Sequence, residues 1–313
     1  MRGLQLGRTR KVGMLLALGT AVISGFAIFI NSYGIRAWAD QGLSTATYTT
    51  AKNVVAALLV GGLLFVMSAR KSDEGLTRPI RRSQWLGLAA VGLIGGSIPF
   101  LLFFEGLARA SSSQAAFLHK TLLIWVVLLG VPILKERLNI GHVAALGLLV
   151  AGQVTLGGGI TDLTMGGGEV MVLGATLMWS VEVVVAKKLL SGMSALTVGT
   201  ARMAIGGVVL VGYGLATGAF AGMGAIGFGQ WGWALVTGLV LTGYVATWYS
   251  ALARAQAVDV TAVLVFGAVI TATLNSGFKG VALAPSGIGI FLVSAGAGWI
   301  FLQAFLHSGE LSR

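Results

Sequence analysis

Uncharged, apolar runs recur roughly every 30 residues along the 313-residue chain, separated by short clusters of Gly, Pro and charge. At 1.5 Å per residue, about 20 apolar residues carry an α-helix across the hydrocarbon of a bilayer. The runs predict helices near 12–33, 44–68, 84–107, 112–134 and 139–157, then near 168–187, 194–216, 230–253, 257–278 and 285–306. No charge interrupts Met203 to Ala253, so the seventh and eighth helices are divided at the Gly-rich stretch 218–229. The pattern is that of an all-α integral membrane protein with ten transmembrane helices.

The two halves of this pattern repeat. Thr50-Ala51-Lys52 reappears as Thr200-Ala201-Arg202, and Leu107-Ala108-Arg109-Ala110 as Leu252-Ala253-Arg254-Ala255. Trp85 and Trp231 open corresponding helices, and Ala151-Gly152 is matched by Ala295-Gly296. The matches keep their order at offsets between 144 and 150 residues. Five helices is an odd number, so the second copy enters from the opposite face, giving two inverted five-helix repeats, residues 1–158 and 159–313.

Composition agrees with a lipid solvent: 56% hydrophobic and 10% charged residues, with a mean hydropathy of +0.89. A soluble domain carries roughly 25% charged residues. The formal charge of +11 is read as orientation and not as a nucleic-acid footprint. With the amino terminus inside, fifteen Lys and Arg fall on the inner side, against Arg36, Arg109 and Lys279 on the outer. The chain is therefore expected to be multi-pass in the plasma (inner) membrane with both termini cytoplasmic, its basic start leading into an uncleaved first helix. Cysteine is absent, which excludes disulfides, thiolate metal sites and a cysteine nucleophile. The 48 glycines, with spacings such as Gly92 and Gly96, suit close helix packing and sliding between bundles.

The segment from Gly106 to Gly152, with its Leu134-Lys135-Glu136-Arg137-Leu138 turn and closing Ala151-Gly152, resembles the end-of-repeat pattern of the drug/metabolite transporter superfamily, in particular its EamA-type ten-helix branch. Through the repeat the resemblance extends over nearly the whole chain. It implies secondary active or facilitated movement of small metabolites, often export, without a nucleotide-binding domain.

Charge inside a bilayer costs about 2.5–3.5 kcal/mol per Lys or Arg at a helix centre, so Lys52, Lys120 and Arg202, all within predicted helices, are informative. Lys52 and Arg202 are repeat equivalents at mirrored depth, and they either bond carbonyls and carboxylates structurally or face a substrate. Lys120 has no charged equivalent, since its counterpart lies near Val265, and is the stronger candidate for substrate binding; its alternative is a lysine that snorkels to the surface. Glu182 either pairs with Arg202 or carries a coupling proton, and Glu105 is expected at the interface. His119 is a substrate-site candidate through its titratable ring, or else an interfacial histidine. Asn53, beside Lys52, and Trp125 are added as cavity candidates, with Asn31, Tyr33, Trp179, Tyr244, Trp248 and Asn275 as a wider set.

The expected function is secondary active or facilitative transport by alternating access, in the export direction, of small polar or anionic metabolites such as amino acids, since three intramembrane cations face two acids. A membrane enzyme is disfavoured because HExxH, GxSxG and paired intramembrane aspartates are missing. A pore or a non-transporting helper is the alternative. No cofactor, metal or nucleic acid is expected. The expected partners are a small-molecule substrate and the lipid bilayer, and a homodimer is left open.

Overall fold

A computed structural model describes residues 2–156, 165–280 and 286–306. They form ten helices and no strand: α1 (Arg2–Ala39), α2 (Thr45–Ala69), α3 (Arg82–Arg109), α4 (Ser112–Leu134), α5 (Ile140–Leu156), α6 (Gly167–Leu189), α7 (Ala195–Thr217), α8 (Phe228–Arg254), α9 (Ala257–Lys279) and α10 (Ser286–Leu306). Nine are long and apolar enough to cross a membrane, and α5 is shorter. Leu58, Phe65, Val208, Leu239 and Phe291 stand exposed on the outside of the bundle, where hydrocarbon is the solvent that suits them. In that solvent every backbone amide must be satisfied within the protein, which is why the spans are helices. The expected boundary at 158/159 lies outside the described residues.

The helices pack in a pattern that is its own image when the two halves are exchanged. α1 lies on α8 as α6 lies on α3, while α2 pairs with α7, α4 with α9 and α5 with α10. All run antiparallel. Gly13 near the start of α1 abuts Arg254 at the end of α8, and Trp38 Nε1 at the other end of α1 donates to Gln230 O at 3.1 Å. In the matching pair, Gly87 of α3 abuts Leu189 of α6, and Gly106 abuts Gly168.

Capping repeats too. Ser44 accepts Thr47 N at 3.2 Å at the start of α2, and Ser194 accepts Thr197 N at 3.2 Å at the start of α7, each filling one orphan amide of a first turn. Ser111 does the same for Gln114 N, at 3.1 Å, on α4. Its counterpart at the start of α9 is Gln256, which makes no side-chain cap. Glu136 from the α4–α5 turn, beside the start of α9, supplies it, accepting Ala257 N at 2.6 Å and Val258 N at 2.9 Å.

Three helices are interrupted. α4 breaks at Thr121 and α9 at Val265–Phe266, at equivalent positions in the two repeats. α3 widens into a π-helical turn at Val91–Gly95 and breaks at Ser97. Pro99 explains part of this, since it has no N–H to give the carbonyl four residues back. That carbonyl, Gly95 O, instead accepts Trp179 Nε1 of α6 at 2.9 Å. Beside it α3 and α7 approach so closely that a Cβ on Gly96 would collide with the Arg202 carbonyl, and one on Gly206 with the Gly96 carbonyl. The small residues at this crossing set the spacing of the two halves.

Candidate functional site

A cavity of about 720 Å³, its mouth included, opens between the halves. Seven helices line it: α1 gives Ser24 and Asn31, α2 Lys52, α3 Phe100, Phe103 and Phe104, and α4 His119. From the second half come Trp179 and Glu182 on α6, Arg202 on α7, and Thr237, Tyr244 and Trp248 on α8.

Lys52 and Arg202 are 1% and 4% exposed. Lys52 Nζ donates to Asn31 Oδ1 at 3.0 Å and sits 3.2 Å from the Phe104 ring centroid, a contact suited to an ammonium ion. Tyr48 O–H also donates to Asn31 Oδ1, at 2.7 Å, so the amide oxygen is held toward the lysine. Arg202 lies over the Phe100 ring, 5.1 Å from Cζ to centroid. Its Nε is buried without a hydrogen-bond partner, and Nη1 reaches Met203 Sδ at 3.9 Å.

Glu182, 2% exposed, accepts the Tyr249 hydroxyl at 2.5 Å. It faces Arg202 across Gly95: a Cβ there would lie 2.6 Å from Glu182 Cγ and 3.0 Å from Arg202 Nε. The two charges are neighbours, yet the ion pairs of the described residues do not include them. The tyrosine takes the contact expected of the arginine. Glu105 is half-exposed and pairs with Arg109 one turn on, at 2.6 Å.

Lys120 stands behind the cavity wall. Its Nζ donates to Ser24 Oγ, a lining atom, at 2.7 Å, and lies 3.4 Å from His119 Nδ1. The amine occupies the crossing of α1 and the interrupted α4 and α9, with Cε close to Gly267. His119 packs edge-on against Trp179, with centroids 5.2 Å apart. Asn53 and Trp125 are not among the lining residues; Asn53 is buried and donates to Thr49 O at 2.7 Å, and Trp125 Nε1 is buried without a partner.

Sequence reading missed several participants. Phe100, Phe103 and Phe104 follow Pro99 at helical spacing, a readable stripe. Tyr48 is one turn from Lys52, whereas nothing local announces Tyr249 as the partner of Glu182. A charged cluster at the face holding the start of α1 was also missed. Asp259, 0% exposed, binds Arg10 at 2.9 Å and His142 Nε2 at 3.1 Å. Close by, Lys187 Nζ bonds Ala255 O at 2.6 Å and Arg254 pairs with Glu74 at 2.5 Å. Among the described residues no group of three His, Asp or Glu converges as a metal site.

These features define a multi-pass membrane protein whose two inverted halves enclose a partly charged, aromatic cavity. The EamA-like transporter family matches residues 11–157 and 166–302, and the chain belongs to that family. An uncharacterized transporter of Methanothermobacter thermautotrophicus is 23% identical over 200 residues, 57% of this chain and 57% of that protein's length. A protein of known crystal structure superposes with a TM-score of 0.63 over 90% of this chain and 98% of its own, at 20% identity, a likeness of fold alone.

Proposed function

We propose that this chain is a secondary carrier, active or facilitative, that exports small polar or anionic metabolites such as amino acids by alternating access. The moving parts are the two repeats, residues 1–158 and 159–313, rocking about the cavity between them. One observation carries the reading: the cavity gathers Lys52, Arg202 and Glu182 from both halves. A bilayer interior tolerates such groups where they pair or line a solvated path. Lys52, Arg202 and His119 are the substrate contacts, Lys120 acts on the site through Ser24, and Glu182 is the candidate carrier of a coupling proton. The fifteen-to-three distribution of Lys and Arg supports an inner-membrane location with cytoplasmic termini.

Reconstitution into liposomes tests this. Saturable counterflow of a radiolabelled amino acid or organic acid from a screened panel is the expected result. Linear, ohmic flux would assign a pore, and absence of flux across the panel a non-transporting helper.

A further inference from the structure

The cavity holds two cations, one from each half. Lys52 and Arg202 are each the eighth residue of their helices, α2 and α7, which enter from opposite faces. At 1.5 Å per residue each therefore lies on the order of 10 Å in from its own end of the bundle. Both reach the same aromatic wall, with Lys52 Nζ 5.8 Å and Arg202 Cζ 5.1 Å from the Phe100 centroid.

Neither cation is fully satisfied by protein. Lys52 uses one hydrogen bond, to Asn31. Arg202 has an unpartnered Nε and a long contact to sulfur. A buried guanidinium cannot shed its proton, and although the Glu182 carboxylate lies close by, the ion pairs of the described residues do not join the two, which leaves donors of the guanidinium open to a ligand. Among the described residues Glu182 is the one carboxylate in the lining, and its hydrogen bond goes to Tyr249. The remaining surface is aromatic, with Phe103 and Trp179 on one side and the stacked Tyr244 and Trp248 on the other.

We propose that the cavity recognises an organic dianion: two carboxylates, or equivalent anionic groups, joined by a planar apolar body, one group at Arg202 and the other at Lys52. This rests on the carrier reading above and narrows its substrate. A pseudo-twofold pair of cations suits a ligand with anionic groups at both ends, and the aromatic walls suit a flat middle.

Thermal unfolding of the purified full-length protein tests it with terephthalate, benzoate and phenylalanine as probes. Terephthalate should raise Tm saturably, with apparent affinity roughly tenfold or more above that of benzoate, the effect of one added charge-assisted contact. Lys52→Met and Arg202→Met should each bring terephthalate down to the benzoate level. Continued benzoate binding by either variant shows that it is folded, and Lys52→Arg should restore the preference. Equal affinity for terephthalate and benzoate in the unaltered protein overturns the proposal, as does an undiminished preference in Lys52→Met. Counterflow separates the two readings. Exchange of phenylalanine with no advantage for terephthalate sinks the dianion and leaves the carrier, whereas terephthalate binding without exchange of any probe sinks the carrier.

Discussion

The amide oxygen of Asn31 is the hydrogen-bond acceptor for the buried Lys52 ammonium, at 3.0 Å, and the Tyr48 hydroxyl keeps it there. α1 thus supplies what α2 needs to keep a cation away from water. Asn31→Leu removes that acceptor and leaves the charge facing only the aromatic rings of Tyr48, Phe100 and Phe104, so unfolding should become easier by about 1.5–3 kcal/mol. Asn31→Asp keeps an acceptor and should recover most of the loss. Tm measurements in detergent decide it; equal melting of Asn31→Leu and the unaltered protein would remove any role for the contact.

Glu182 and Tyr249 make a second buried contact, with Arg202 close by. If the carboxylate carries the coupling proton, Glu182→Gln should retain substrate exchange between equal pools and lose accumulation driven by a pH gradient. Tyr249→Phe removes the hydrogen bond without removing the carboxylate, and should slow both activities while leaving the coupling. Gradient-driven uptake that survives in Glu182→Gln assigns the residue to structure.

Pro99 and Trp179 should be energetically coupled, because the proline strips Gly95 O of its helical partner and the indole replaces it. Trp179→Phe leaves that carbonyl orphaned and should cost about 1–3 kcal/mol. In a Pro99→Ala background the restored amide can satisfy the carbonyl, and the same change should cost less. A double-mutant cycle reads the difference, and strict additivity would show the two residues to be independent.

Much of this architecture was legible beforehand. Ten helices, their inversion and the mirrored positions of Lys52 and Arg202 follow from spacing and charge alone, since a bilayer penalises each misplaced charge. The aromatic wall was harder to see. In a lipid-dissolved chain the inward and outward faces are both apolar, so periodicity does not mark which of many rings face one another. Long-range partners were hidden for a related reason: Tyr249 for Glu182, Ser24 for Lys120 and Glu136 for the start of α9 join elements remote in sequence. The breaks at Thr121 and Phe266 carry neither Gly nor Pro at the interrupted residue, and so left no mark in the chain.

Glu136 gives a pH signature at the bundle end. Burial pushes its carboxyl above the ordinary value of 4.5, outweighing the amides of Val258 and Ala257 and the nearby Lys187, which act the other way. The folded protein therefore holds this proton at pH values where the unfolded chain has released it. The group's contribution to stability is greatest below 4.5 and is lost as pH rises through its folded value. The Tm advantage of the unaltered protein over Glu136→Gln should shrink as pH rises across that window and then level off. An advantage that widens instead would contradict it.

Asp259 joins three elements at one face: its carboxylate, at the start of α9, holds Arg10 of α1 and His142 of α5. Rocking of one half against the other must part these groups if the cavity is to open toward that face. Asp259→Asn weakens both contacts and leaves a part-buried guanidinium short of its counter-charge, which should lower stability by about 1–3 kcal/mol. It should also shift the population toward the state open on this side. The chain has no native cysteine, so a single cysteine at Leu241, a cavity residue, reports access cleanly. In vesicles exposing the face with Arg10, a membrane-impermeant thiol reagent should label Leu241→Cys faster when Asp259→Asn is present. In vesicles of the opposite orientation labelling should slow. Equal acceleration from both sides would indicate general loosening, and the cluster would then be a structural tie and not a gate.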